Sequence, residues 1–270
     1  MLAAVARYLR LLGHLARYTL SRELAFRGNF LVKVSVEVLW LGIMIAFYRT
    51  VYARTNNVAG WSEAEYFFFV GCYFALNGLV ETFFFENCNE FAELVRTGDL
   101  DFLLLRPIDE QFLVSLRRFD WGTAPNVLMG AAVMLSALVQ KGWEFDLLRI
   151  LTFFVTMACA TAIAYSFMLM MATLTVWMIR NQSLLEMWWM FSSLARYPKE
   201  IYTGRWAEPL GNFFTYIVPI LVVSNVPSNV MVRVFDPAMV VLIIVSAVLL
   251  LWLSRRFFQH ALRSYRSASS

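Results

Sequence analysis

Charge is scarce in this chain: 16% of its 270 residues are Asp, Glu, Lys or Arg, against about 25% in an average soluble domain. Cysteine and histidine are scarcer. Of the three cysteines, Cys72 and Cys159 lie inside apolar blocks, while Cys88 does not, and this pattern excludes a secreted disulfide framework. The two histidines, His14 and His260, sit in the end segments, and no His, Cys or carboxylate set has metal-ligand spacing. The 12 glycines include no G-x-x-x-x-G-K-[ST] run, which excludes a P-loop. No G-x-S-x-G elbow is present either, so no catalytic residue is assigned. The net charge is +4, and Lys and Arg fall between apolar blocks rather than clustering, which argues against a nucleic-acid binder. No signal peptide is expected, because Arg7, Arg10 and Arg17 interrupt any apolar core near the start.

What the chain has is apolar surface. Hydrophobic residues make up 60% of it, with 24 Phe and 9 Trp. Lipid solvates side chains that water rejects, so a bilayer absorbs this surface where a soluble core does not. The apolar blocks run along the whole length. They predict an all-α integral membrane protein with one transmembrane domain at 30–256, an interfacial helix at 1–29 and a tail at 257–270.

On a helix, Arg7, Arg10, His14 and Arg17 share one face, opposite Val5, Leu9, Leu12 and Ala16. That is a basic amphipathic helix suited to the lipid headgroup region, although Leu11 and Leu15 lie nearer the basic face. The alternative is a helix packed on the protein. Spans follow at 30–48, 66–85 and 121–139. A fourth uncharged run covers 150–179, and at 1.5 Å per residue it reaches roughly 45 Å against ~30 Å of hydrocarbon, so it must tilt, kink or project. The fifth region has two readings. Either 182–197 spans and 198–230 dips back, or 182–205 is interfacial and 209–226 spans. In the last span Asp236 caps a helix starting at Pro237.

Six spans put both ends on one side. Arg7, Arg10, Arg17, Arg22, Arg27, Arg96, Arg106, Arg117, Arg118, Arg180, Arg255, Arg256, Arg263 and Arg266 then share that side, against Arg49, Arg54, Lys141, Arg149 and Arg233, while Arg196, Lys199 and Arg205 fall on either side with the reading of the fifth region. Positive residues concentrate on the inner side, so both ends are expected to be cytoplasmic.

The loop between spans two and three reads as two short amphipathic helices. Phe91, Leu94 and Val95 form an i, i+3, i+4 face, Gly98 ends that helix, Asp99 caps the next, and Leu100, Leu103 and Leu104 repeat the apolar face until Pro107 stops it. Such a loop either rests on lipid or docks a partner. The run GDLDFLLLRPI at 98–108 resembles the G-x-[LI]-D-x-x-L-[LT]-[RK]-P signature of ABC type-2 exporter permeases. The turn Arg196-Tyr197-Pro198 and the run Ile217-Val218-Pro219 are similar to that family as well.

The resemblance implies a bacterial inner-membrane permease with a cytoplasmic coupling helix and an outer re-entrant hairpin at 198–230. It implies a partner: cytoplasmic ABC ATPase subunits, which bind ATP and Mg while this chain holds no cofactor. It also implies a second permease copy or a related permease. The coupling residues would be Phe91, Leu94, Gly98, Leu100, Asp101, Leu104, Arg106 and Pro107.

Charges inside spans are costly and often functional. Lys33 and Glu37 are spaced to pair at i, i+4, and Glu37 and Glu81 are the candidates for lining a translocation path. Two rival classes stay open: a lipid-modifying enzyme, which would need His, Asp or Cys clusters the chain lacks, and a scaffold or channel without an ATPase.

Overall fold

The computed structural model describes residues 2–178, 182–202 and 204–265. Arg180 and Arg266, two of the charges used above for orientation, lie outside the described residues, as does the side chain of Val5. Apart from an isolated bridge between Val58 and Trp61, all regular structure in the described residues is helical.

Helix α1 (Leu2–Ala25) packs on the protein along one side. Arg7, Arg10, His14 and Arg17 are exposed together, as expected. Leu9 is not on the inner face: it is 62% exposed, whereas Leu11 and Leu15 turn inward with Leu12, Ala16 and buried Thr19. The reason is a specific dock. The Trp121 indole N–H donates to the Ala16 carbonyl at 3.1 Å and to Thr19 Oγ1 at 3.2 Å, and the Trp121 backbone N–H donates to Glu23 Oε1. These contacts fix the helix rotation.

Helix α2 (Arg27–Tyr52) leads to a turn and then to α3 (Glu63–Val80), where the Glu65 carboxylate accepts the Ser62 backbone N–H at 3.0 Å. The helix does not stop at the end of α3. It passes through a π-helical stretch, Glu81–Phe85, into α4 (Glu86–Thr97), giving one 35-residue rod. Short helices α5 (Leu100–Leu104) and α6 (Glu110–Leu116) precede α7 (Pro125–Lys141). Helix α8 (Leu147–Thr173), α9 (Gln182–Ala195), α10 (Glu208–Asn212), α11 (Ile220–Val232) and α12 (Pro237–Ser264) complete the order. The Asp236 side chain accepts the Ala238 N–H at 2.9 Å, so the cap expected there is formed.

Four of these helical runs are long and apolar enough to cross a membrane: Arg27–Tyr52, Glu63–Thr97, Leu147–Val176 and Pro237–Ser264. A fifth crossing results if Glu208–Ile217 and Ile220–Val232, which meet at 84°, count together. At 17 residues α7 reaches ~26 Å, a little less than the hydrocarbon thickness.

Helix α3 is the centre of the bundle and is buried around most of its circumference, which accounts for its unbroken apolar run. Its contact with α7 is very close. A methyl group at Gly130 would come within 2.6 Å of the Ala75 nitrogen and the Gly71 carbonyl oxygen. Small residues let two backbones approach where lipid offers no hydrophobic drive. A second apolar cluster gathers at the other end of the long rod, from Phe91, Leu94, Leu100 and Leu103 with Met168, Leu169, Ala172 and Phe258. The excess length of the fourth run is used here: the end of α8 projects to pack under the 90–104 segment.

Candidate functional site

Two regions concentrate the residues singled out above. The first is the loop that follows the long rod. Gly98 adopts φ +81°, a left-handed conformation that glycine takes without strain, and it ends α4 as expected. Asp99 does not cap α5. Its own backbone is helical, and its carboxylate instead accepts the Thr97 hydroxyl at 2.8 Å. The predicted apolar face is also turned the other way. Phe91 and Leu100 are fully buried and Leu94 nearly so, all in the molecule's own second cluster, while Leu104 is half-buried. The residues left outside are Phe102, 68% exposed, and Leu105, 81% exposed, beside exposed Arg106 and Pro107. Five residues of α5 cannot hide four apolar side chains on one face, so the helix buries Leu100 and Leu103 and presents Phe102. Asp101 is half-buried beside Tyr265.

This loop is tied to the bundle by charge and amide pairs. Asp109 takes two bonds from Arg255 of α12, Nη1 to Oδ1 at 2.9 Å and Nη2 to Oδ2 at 2.5 Å. Partial burial works against the carboxylate, but the Arg255 bonds and the Phe112 backbone N–H hold Asp109 below the usual carboxylate range. Arg255 also donates to Gln111 Oε1, whose amide nitrogen donates to the Tyr165 hydroxyl of α8 at 2.8 Å. On the other flank Glu90 pairs with Arg117 and Arg118, and Asn87 exchanges bonds with the Arg118 backbone at 2.6 and 2.9 Å. These bonds join α6 and its flanks to α4, α8 and α12. None of these long-range partners has a signal in the sequence beyond the residue types themselves.

The second region is a recess of about 420 Å³ between α2, α3, α7 and the end of α9. Glu37 and Glu81, assigned to a path from the sequence, both line it. Glu37 does not pair with Lys33. Its carboxylate accepts the Asn126 amide at 2.9 Å, while Lys33 bonds Asp120 at 2.9 Å. The turn before α7 brings Asp120 within reach and α7 brings Asn126, and each satisfies its partner better than an exposed i, i+4 pair. Glu81 opens the π-helical stretch, where the Thr82 carbonyl accepts the Asp120 backbone N–H at 3.0 Å. Single π turns are enriched at functional positions in helices. Arg196 closes the recess, with its guanidinium 5.2 Å from the Trp40 ring centre and 5.7 Å from that of Tyr73. Arg196, Trp40 and Asn126 are residues of this site that sequence reasoning missed.

At the far end of the bundle the 198–233 segment closes on itself. Arg233 Nη1 lies 3.5 Å from Glu200 Oε1, and the buried Trp61 indole donates to Glu200 Oε2 at 3.0 Å. Between these residues the chain turns at Val218 and Pro219, next to Tyr73 and Asn77 near the middle of α3.

A family model for ABC-2 family transporter proteins matches residues 38–269. The chain belongs to that family. No curated protein and no solved structure matches it. As an ABC-2 family member with several apolar helices of spanning length, it is a multi-pass membrane protein of the transport class. The ABC-2 match covers the loop, the closed segment and the recess lining other than Val36 and Glu37.

Proposed function

We propose that this chain is the permease of an ABC exporter, working as a dimer driven by separate cytoplasmic ATPase subunits that bind ATP and Mg. The observation that carries the reading is the exposed pair Phe102 and Leu105, mounted on a short helix whose opposite side is anchored in the fold. A solvated loop gains nothing from exposing two large apolar side chains, whereas a partner groove does. Arg106 and the Glu93–Arg96 pair sit at the rim, where charge sets orientation. Asp101 and Pro107 shape the same surface, and Gly98 sets its angle. Phe91, Leu94, Leu100 and Leu104 act as the base that transmits the push.

In this reading the membrane domain, 30–256, crosses six times in the bacterial inner membrane with both ends cytoplasmic. Helices α7 and α9 count as crossings three and five. The 198–230 segment is a re-entrant hairpin on the outer side, and the Glu200–Arg233 pair supports this because it joins the hairpin's two ends at one level. The 1–29 helix lies at the inner interface with Arg7, Arg10 and Arg17 toward headgroups, and 257–270 is a cytoplasmic tail. The uncovered face of α2 meets the second permease copy or a related one, and Glu37 and Glu81 line the path between them. ATP binding moves α5, and the Asp109–Arg255 and Glu90–Arg117 links pass that motion to the spans. The drive is the difference in ATP affinity between the two states.

The test is affinity isolation of the full-length chain from its native membrane, with ATP hydrolysis measured on what copurifies. An ABC ATPase that leaves when Leu105 is replaced by Asp is the expected result. Isolation without any ATPase favours the scaffold or channel reading.

A further inference from the structure

We infer that the recess between α2, α3, α7 and α9 binds an amphipathic organic cation. The inference rests on the reading of this recess as part of the transport path, and it assigns the class of cargo. Two carboxyl groups, Glu37 and Glu81, and one guanidinium, Arg196, line the recess, so acidic side chains outnumber basic ones there. Arg196 makes no ion pair with either; its charge lies against Trp40 and Tyr73. Glu81 makes no hydrogen bond or ion pair with any described residue. An ionisable group at membrane depth without a partner is costly, and a cation entering the recess removes that cost.

Asn126 independently points to a ligand. It is 3% exposed, it lines the recess, its amide nitrogen is committed to Glu37, and its carbonyl oxygen Oδ1 has no partner. Buried amide oxygens are almost always bonded. An ammonium or guanidinium donor reaching Glu81 and Asn126 Oδ1 satisfies both at once. The walls supply the second half of the chemistry, because Trp40, Phe74 and Trp189 offer aromatic faces to a cation. The apolar part of the ligand has a place too. Tyr73 and Asn77 also line a neighbouring apolar cavity of about 180 Å³, beneath the Val218–Pro219 turn, with Phe167 and Val223 on its far side. A cargo without an N–H donor leaves Asn126 Oδ1 unsatisfied.

The experiment uses the full-length chain in lipid nanodiscs and radiolabelled 4-phenylbutylammonium, with empty nanodiscs subtracted and 5-phenylpentanoate, a similar shape with opposite charge, as competitor. The expected result is saturable binding that 5-phenylpentanoate does not displace. Glu81→Gln is expected to weaken it at least tenfold, with Glu37→Gln weakening it as well, and Glu144→Gln, at an exposed loop position, to leave it unchanged. Trp40→Ala, on a wall that is already half open, should weaken it several-fold and serves if either carboxylate variant does not fold. Absence of saturable binding, displacement by 5-phenylpentanoate, or wild-type affinity in both carboxylate variants overturns the proposal.

A parallel arm separates this from the path reading. Ile43→Cys, on the exposed face of α2, is oxidised in a Cys159→Ala background. A cross-link between copies together with no cation binding removes the cargo class and leaves the path. Cation binding without a cross-link keeps the site and removes the path.

Discussion

Arg233 reaches Glu200 across 33 positions of sequence and sits over the ring of buried Trp61, with its guanidinium carbon 4.6 Å from the ring centre. The segment between them enters and leaves the bundle at one end. A reporter cysteine in it is therefore expected to react from outside the cell. Gly204 has φ +100°, where a cysteine is strained, so Trp206, 88% exposed, is the better position. Trp206→Cys in a Cys159→Ala background should label with an impermeant maleimide in intact cells, and a cysteine at Arg263 should label only after permeabilisation. The reverse pattern rejects the re-entrant hairpin and its orientation.

Trp61 holds this closure together. Its indole donates to Glu200 and its carbonyl accepts the Tyr52 hydroxyl at 3.0 Å. Trp61→Ala should cost about 3–5 kcal/mol. Arg233→Ala, removing one partly exposed ion pair, should cost about 1 kcal/mol or less. Thermal unfolding in detergent, read by tryptophan-independent light scattering, separates the two.

The loop makes a paired prediction. Leu105→Asp and Phe102→Asp place charge on exposed positions and should leave the unfolding temperature unchanged, while copurifying ATPase falls at least tenfold. Leu100→Asp puts an unpaired carboxylate into the second cluster and should destabilise the chain by several kcal/mol. Loss of the ATPase with Leu100→Asp but not with Leu105→Asp contradicts the assignment of the docking surface.

Asp109 links the loop to α12. Asp109→Asn keeps the shape and removes the charge, so ATPase should still copurify while transport per ATP hydrolysed falls. The pH behaviour follows from the lowered carboxylate. Its contribution is fully present above the unfolded value near 3.8 and is lost as pH falls through the lower folded value. The wild type should therefore lose more stability than Asp109→Asn between about pH 4 and pH 2, as followed by thermal unfolding.

The α3–α7 contact is tested by adding one methyl group. Gly130→Ala meets backbone atoms at 2.6 Å and should cost about 1–3 kcal/mol. Gly13→Ala, in a helix with open space around it, should gain about 0.5–1 kcal/mol.

The sequence alone determined the class of solvent, the helical character and the family. Long uncharged runs admit only helices in lipid, since backbone groups there must be satisfied within the segment. Local rules also placed Gly98 at a helix end and Asp236 at a helix start, because a cap depends on residues a few positions away. Amphipathic periodicity located two apolar stripes, in α1 and in the 90–104 loop, but not what would cover each side. In α1 the stripe was rotated by the Trp121 dock, which brings Leu15 inward and leaves Leu9 out. In the loop, the projecting end of α8 offered Leu100 a buried place and left Phe102 and Leu105 to the surface. Pairing within the membrane was likewise decided by tertiary structure. Lys33 prefers Asp120 and Glu37 prefers Asn126 because α7 is drawn against α3 through Gly71 and Gly130, and contacts of that separation leave no periodic trace in one sequence.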